Sequence, residues 1–584
     1  MVLNANTGHQ NDDFANLDPQ EAHFSQDQAW MQRSVLVAKH TVVWLAQLSR
    51  RYGKSISRLD QIPDEVLQDL HDRGFNGLWL LGLWQRSPAS RKIKTLTGHP
   101  RADASAYAIS VYEVAERLGG EDALESLRRR AAKLGIRLAA DMVPNHTGMD
   151  ASWMSQYPKR YISTSSLPHS QYSFTGPNLS TAAEIELYLE DHYLDQSDAA
   201  VVFKRVDTST GEITYVYHGN DGVDTPWNDT AQLDFLQKEV RQAVIEQILD
   251  LAHRFPILRF DAAMTLIKKH FHRLWYPQSA DTGNIESRKN FSLDQHEFDD
   301  YFPVEFWREA IERLRQESPD TLLIAESYWL TENYFAHTLG MHRVYNSAFM
   351  QTLAREANAE FRSGIKRLLA FDPRILARHL NYMSTPDEES VHQQFGDGDR
   401  YFGVATLLAT LPGLPMFAHG QVEGLAERYA MDFAEPRLDE SPKAELINQH
   451  LAQITPLLQR RKTFANADRF RLYDALDQKG NPVEDIIAFS NRAKGHRALI
   501  VYNNSPDEKM GVISMSAPFN MNAKQHQEHL VDSLDLASSE KWNLIEQVTG
   551  KQIEWDTEFL TKNGLTISLK AYQRKVFWEI EPKN

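Results

Sequence analysis

Eight apolar runs of strand length recur along the chain between segments of helical periodicity, and this alternation constrains the fold more than any other feature. The runs are Thr41 to Leu45, Gly77 to Leu83, Ile136 to Val143, Ile257 to Phe260, Thr321 to Ala325, Val344 to Ala348, His379 to Met383 and Leu414 to Ala418. Between them, Leu236, Val240, Val244, Ile248 and Ala252 repeat at helical spacing, and Phe306, Ile311 and Leu314 share one side of the segment Val304 to Glu317. Strands alternating with amphipathic helices make a parallel sheet covered by its crossover helices. Eight such units suit a closed α/β architecture, the (β/α)8 TIM barrel, better than an open doubly wound sheet. No Gly-x-Gly-x-x-Gly turn follows the first strand, so a nucleotide-binding reading drops out.

Two stretches break the rhythm. After the third run, residues 147–233 are rich in Ser, Tyr, Asp and Gly and contain the strand-like Ala199 to Val206 and Ile213 to His218, as expected of a small domain inserted in a barrel loop. Met264 to Pro303 separates the fourth run from its helix, and loops this long at a barrel rim shape or cover binding sites. From 466 onward short alternating segments take over: Asp485 to Ser490, Arg497 to Asn503, Gly511 to Ser516, Leu565 to Leu569 and Arg574 to Ile580. Their spacing predicts a C-terminal antiparallel β-sandwich. The expected division is a barrel over 1–146 and 234–465 with an N-terminal extension, an inserted domain over 147–233, and a C-terminal domain over 466–584.

With 79 acidic against 63 basic side chains, the formal charge of −16 disfavours nucleic-acid and anionic-membrane partners. The absence of cysteine excludes disulfides and thiolate chemistry and fits a reducing compartment. Residues 1–30 lack a basic stretch followed by an apolar one, which makes the cytoplasm the expected location. No eighteen apolar residues run together, so no membrane span is expected.

Three carboxylates follow these runs or stand just beyond them: Asp261 in Leu-Arg-Phe-Asp-Ala, Glu326 in Leu-Ile-Ala-Glu-Ser, and Asp387 in Ser-Thr-Pro-Asp-Glu. A barrel that delivers its strand ends to one rim gathers all three in one cleft, as chemistry at a glycosidic carbon needs. A lone Asp after a strand is more often a helix cap or turn residue; the ordered set is what favours function.

At the third run, Asp141-Met-Val-Pro-Asn145-His146-Thr-Gly resembles the first signature of the α-amylase superfamily of retaining α-glucan enzymes. Matching segments follow in the family's order: Arg259-Phe-Asp261, Ala325-Glu326-Ser, and Gly413-Leu-Pro-Met-Phe-Ala-His-Gly-Gln-Val-Glu423. Trp227-Asn-Asp-Thr-Ala-Gln-Leu-Asp234 is similar to the motif that closes the inserted domain. The resemblance implies that Asp261 is the nucleophile, held ionised by Arg259, and that Glu326 is the acid/base, its pKa set higher by burial against Tyr328 or Trp329. It further implies that Asp387 stabilises the transition state while Asp141, His146, Arg259 and Tyr107 bind substrate. Tyr107, in Ala-Tyr-Ala-Ile-Ser-Val-Tyr, matches a stacking tyrosine; Trp84, Tyr328 and Trp329 are further stacking candidates, although most aromatic residues pack cores. No cofactor is required for this chemistry. Asn145 stands where relatives often help bind calcium, which makes a structural ion an open question.

Two departures mark this chain. Thr385-Pro386 stand where most relatives have Asn-His before the third carboxylate, and Met264-Thr265 where classical amylases have Lys-His. The Thr-Pro-Asp arrangement is similar to that of maltosyltransferases using maltose 1-phosphate. Lys268-Lys269-His270 would suit a phosphate, but a solvated helix face is the commoner meaning of such a run. The leading expectation is a retaining hydrolase of α-linked glucans or malto-oligosaccharides. A transglycosylase or maltosyltransferase is the alternative, and a noncatalytic binding barrel is third, disfavoured by the complete triad with Arg259.

Overall fold

The computed structural model describes residues 17–583 apart from 196, 224, 279, 280 and 282. Eight parallel strands close a barrel: β1 (Leu36–His40), β2 (Gly77–Leu81), β3 (Arg137–Met142), β4 (Ile257–Phe260), β5 (Leu322–Ala325), β6 (Arg343–Asn346), β7 (His379–Tyr382) and β8 (Leu414–Phe417). Around the ring they run β1-β8-β7-β6-β5-β4-β3-β2. Helices cover the outside, among them Lys238–Arg254 and Phe306–Glu317, within the expected segments.

The first strand lies earlier than its apolar run suggests. Thr41–Tyr52 is a helix that buries Val43, Trp44, Leu45 and Leu48, and the strand is the segment before it, Leu36-Val-Ala-Lys-His. Every residue of that strand is buried, Lys39 and His40 included. Lys39 is tolerated because Glu423, just past β8, meets its ammonium at 3.4 Å, while Arg73 bonds the same carboxylate at 2.9 Å.

Between β3 and β4 the chain leaves the barrel. His146–Gly148 pairs with Thr230–Gln232 at the base of the excursion, and a four-stranded antiparallel sheet forms from Ser163–Thr164, Ile185–Tyr188, Val202–Asp207 and Ile213–Tyr217. The long segment after β4 folds into four short helical pieces, Ala263–Leu266, Lys268–Trp275, Glu286–Phe291 and Gln295–Tyr301.

Beyond the barrel, eight strands from Arg471–Leu476 to Arg574–Pro582 join one continuous antiparallel sheet. Tyr473, Ile513, Trp542, Trp555 and Ile567, drawn from strands at both ends of that sheet, share one core, so the sheet folds over itself as a sandwich does. Asn358 ties barrel to sheet by donating to Asp485 at 2.9 Å and to the Asn504 carbonyl at 2.8 Å. Nearby, Gly403 in the helix Asp399–Thr410 lies so close to the Tyr502 ring that a methyl group there would overlap it. Among the described residues no helix is long and apolar enough to cross a membrane.

Candidate active site

The C-terminal ends of β3, β4 and β5 converge on one guanidinium. Side chains alternate along a strand, so Arg259 and Asp261 share the inner face of β4, and register sets Arg259 beside Asp141 on β3. Arg259 Nη1 lies 2.6 Å from Asp261 Oδ1 and 3.1 Å from Asp141 Oδ1, and its Nη2 lies 2.8 Å from Glu326 Oε2. Two hydroxyls complete the cage: Tyr107 accepts from Nη1 at 2.9 Å and Tyr345 from Nε at 3.2 Å. After Asp261 the backbone turns sharply, with Ala262 in the left-handed region at φ 44°. That conformation is costly for a residue with a Cβ. Here it aims the Ala262 N–H at Glu326 Oε2, 2.9 Å away, and joins the ends of β4 and β5.

Three carboxylates on one guanidinium carry a net negative charge in a buried site. Arg259 pulls the Asp261 carboxyl down as expected, through its charge and its hydrogen bond, but it does not act alone. Burial pushes the Asp261 carboxyl well above its ordinary range, Arg259 opposes, and the charges of Glu326 and Asp141 push the same way as burial. Burial likewise pushes Asp141 up to about 6, against Arg259 and the Trp79 indole, which donates to Asp141 Oδ2 at 3.0 Å. Trp84 is no stacking platform: it is 1 % exposed, donates to the Asp141 carbonyl at 2.7 Å and packs against Tyr112 and Phe255.

The third carboxylate stands apart. Asp387 is exposed at the rim beyond β7 and makes no ion pair with Arg259 among the described residues. The surrounding walls and then the Glu326 charge push its carboxyl upward, and the charges of Arg259 and Arg428 oppose them. Thr385, in the place of the family's usual Asn, bonds Glu388 through both its backbone N–H and its hydroxyl, and accepts from the Asp387 N–H at 3.3 Å. The Thr-Pro turn is thus held by its own neighbours, and the imidazole usual before the third carboxylate has no counterpart at Pro386.

His146 is 4 % exposed and tilts against Trp227, with ring centroids 4.9 Å apart. Burial pushes its imidazole down to about 4, so it is neutral near pH 7. Asn145 is committed elsewhere: its amide nitrogen donates to Gln232 Oε1 at 3.1 Å and its Oδ1 accepts from Gln232 Nε2 at 2.9 Å. No group of three or more His, Cys, Asp or Glu poised to hold a metal occurs among the described residues. Asn145 Oδ1, the atom that would face an ion, is thus taken up by Gln232.

On the far side of Glu326, Tyr328 donates to Glu326 Oε1 at 3.4 Å, whereas Trp329 turns away and tilts over His270 at 5.0 Å. Met264 and Thr265 are buried, the latter bonding back to the Ala262 carbonyl at 2.7 Å, so neither takes the part of Lys-His. Lys268 opens a helix, half-buried and paired with Asp299 at 2.5 Å, and of the run Lys268-Lys269-His270 Lys269 alone is exposed. Sequence reasoning missed Trp79, Tyr345 and Glu388. The first two sit inside strand runs where an aromatic reads as core; Glu388 adjoins a residue that carried the motif.

The family described as alpha amylase, catalytic domain, matches residues 59–391. Maltase A1 of Drosophila melanogaster is 23 % identical over 415 residues, 64 % of this chain, and the match spans 63 % of the maltase's own length. Among solved structures, a noncanonic maltogenic alpha-amylase from Thermotoga neapolitana aligns with a TM-score of 0.59 at 12 % identity, covering 94 % of this chain and 99 % of that one. A debranching enzyme from Nostoc punctiforme aligns at 0.57 and 14 %, covering 95 % and 99 %. These likenesses show the fold.

Proposed function

Because the chain belongs to the alpha-amylase family through its catalytic domain, we propose that it cleaves α-glucosidic bonds in glucans or malto-oligosaccharides by double displacement, with retention at the anomeric carbon. The observation that carries this reading is the pairing of Asp261 and Glu326 on the two ends of one guanidinium. Asp261 is then the nucleophile, fixed by Arg259 at the abrupt end of β4. Glu326 is the acid that protonates the departing oxygen and afterwards the base that activates water. In the free site Glu326 is held by Arg259 and the Ala262 N–H. The shared guanidinium holds both carboxylates at one rim, an arrangement that a double displacement through a covalent intermediate uses. Tyr107 offers a half-buried ring face, and Asp141 and His146 offer a charged and a neutral partner to sugar hydroxyls. Asp387 approaches from the β7 side to stabilise the oxocarbenium-like transition state. Transfer to a sugar shares every step up to the arrival of the acceptor.

The test is maltotetraose turnover, with and without inorganic phosphate, products resolved by size and the anomer first formed read by NMR. Glucose and maltose released as α-anomers are expected. Longer chains would mean transfer, and a β-anomer would refute retention. Asp261→Asn should reduce turnover by roughly 10⁴-fold or more with circular dichroism unchanged.

A further inference from the structure

On the face of the barrel opposite the catalytic rim lies a cleft of about 750 Å³, within the roughly 300–1,000 Å³ of small-ligand pockets. Its place follows from the chain. His337 comes shortly before β6 and Asp372 to Arg374 shortly before β7, so these residues stand at the N-terminal ends of the strands. The other wall is the segment 467–471, which enters the C-terminal sheet, and the hairpin made by Phe519–Met521 and Lys524–His526. That hairpin is pinned onto the end of the helix Asn358–Phe371: Asn520 Nδ2 donates to the Phe371 carbonyl and Gln525 Nε2 to the Ala370 carbonyl, both at 2.9 Å. Its tip, Asn522-Ala523, takes φ 55° and 60°, the left-handed pair that a two-residue turn needs and that is costly for alanine.

One residue lining the cleft is His337, 1 % exposed, whose Nε2 has no hydrogen-bond partner among the described residues. Its ring is held between Phe24, edge-on at 5.5 Å, and Phe371, tilted at 5.3 Å. It rides on Tyr334–Leu339, a π-helical turn, and such widened turns occur frequently at functional sites. The charges around the cleft cancel. Arg374 is paired with Asp372 at 2.7 Å and Arg471 with Glu528 at 2.9 Å. Asp468 and Arg469, adjacent, exposed and of opposite sign, have no side-chain hydrogen bond or ion pair among the described residues, and neither has the exposed Asn522 amide. An anion there meets Asp468 and a cation meets Arg469, whereas a ligand rich in hydroxyls donates to the carboxylate and accepts from the guanidinium at once. The half-buried Phe371 and the exposed Met521 add apolar surface that suits the C–H faces of a sugar ring.

We infer that this cleft is a second sugar site, which holds a glucan chain on the barrel face away from the bonds being cut, with His337 Nε2, Asp468, Arg469 and Asn522 reading its hydroxyls. The choice of a glucan rests on the function proposed above; the choice of a hydroxyl-rich ligand rests on the cleft alone. A polymer long enough to reach both faces is thereby concentrated at the rim, while a short oligosaccharide gains nothing.

The test is migration in native gels cast with amylose, together with kinetics on amylose and on maltotetraose. Wild-type protein should be retarded by amylose. The double variant Arg469→Ala/Asn522→Ala, at two exposed positions, should run faster, its apparent affinity for amylose lower by at least about threefold through the hydrogen bonds lost. KM for amylose should rise by the same factor while kcat/KM for maltotetraose stays unchanged. His337→Phe, which keeps an aromatic ring but no nitrogen, should weaken retention in the same direction; unchanged retention counts against the imidazole. Should that variant fail to fold, the double variant decides alone. Wild type and double variant retarded equally, or neither retarded, would overturn the second site and leave the proposed function standing. Retention lost in the double variant, with neither substrate cleaved by the wild type, would support the site and end the proposed function.

Discussion

Two buried ion clusters lie on opposite sides of the barrel ring, and they are unbalanced in opposite directions. On β3–β5 one cation, Arg259, serves three carboxylates; beside β8 and β1 one carboxylate, Glu423, serves two cations, Lys39 and Arg73. Glu423 is accordingly pulled down to about 2: burial pushes upward, but Lys39 and Arg73 outweigh it. Asp261 is pushed the other way. The cation-rich cluster holds its one carboxylate ionised down to about pH 2 and fits a part whose work is holding the barrel shut. The carboxylate-rich cluster sits where adding a proton is cheap, which suits a site that must exchange one.

Removing the charge that each cluster turns on should break this contrast most severely. Arg259→Met leaves three buried carboxyls without their guanidinium; turnover should fall by roughly 10²–10³ or more and stability by about 3–5 kcal/mol at pH 7, read by urea denaturation. Glu423→Gln should cost about 3 kcal/mol at pH 7, with a pH signature of its own. A carboxyl depressed in the folded protein contributes stability above its unfolded pKa, and that contribution is lost as pH falls through the folded value. The gap between variant and wild type should therefore narrow from about pH 4.5 toward 2. A gap that stays constant would mean Glu423 acts by packing.

Asp261→Asn should behave in the opposite sense. A carboxyl raised in the folded protein favours folding while protonated and loses that contribution as pH rises, so the variant should be at least as stable as wild type at pH 8, its relative advantage fading toward the ordinary carboxyl range. A variant clearly less stable at pH 8 would place Asp261 in a balanced pair. Asp387→Asn, at an exposed position outside both clusters, should change stability by no more than about 0.5 kcal/mol while turnover drops.

Seven of the barrel strands are legible as apolar runs because both faces of each are buried. The first is hidden because Lys39 and His40 interrupt its run, and the partner that makes Lys39 acceptable, Glu423, lies 384 positions away. In the C-terminal sheet, Lys541–Glu546 and Lys551–Asp556 escape notice because one face of each is solvated and carries Lys, Glu and Gln. Asp261 and Glu326 could be found from their surroundings in sequence, but the three-way sharing of Arg259 could not, because it depends on register between strands distant in the chain. The burial of His40 was equally invisible: a histidine beside a lysine gives no sign of it until the barrel closes around it.

The contact between Gly403 and the Tyr502 ring bears on how such proteins are recombined. A hybrid that grafts another C-terminal sheet onto this barrel inherits a flat notch where the helix has no side chain, and only a ring at the matching position fills it. The chain passes from the helix Arg461–Phe464 to the sheet strand Arg471–Leu476 in a few residues, but the two sides are fitted to each other as lock plate and key blank, and exchanging either half alone opens a void in the joint.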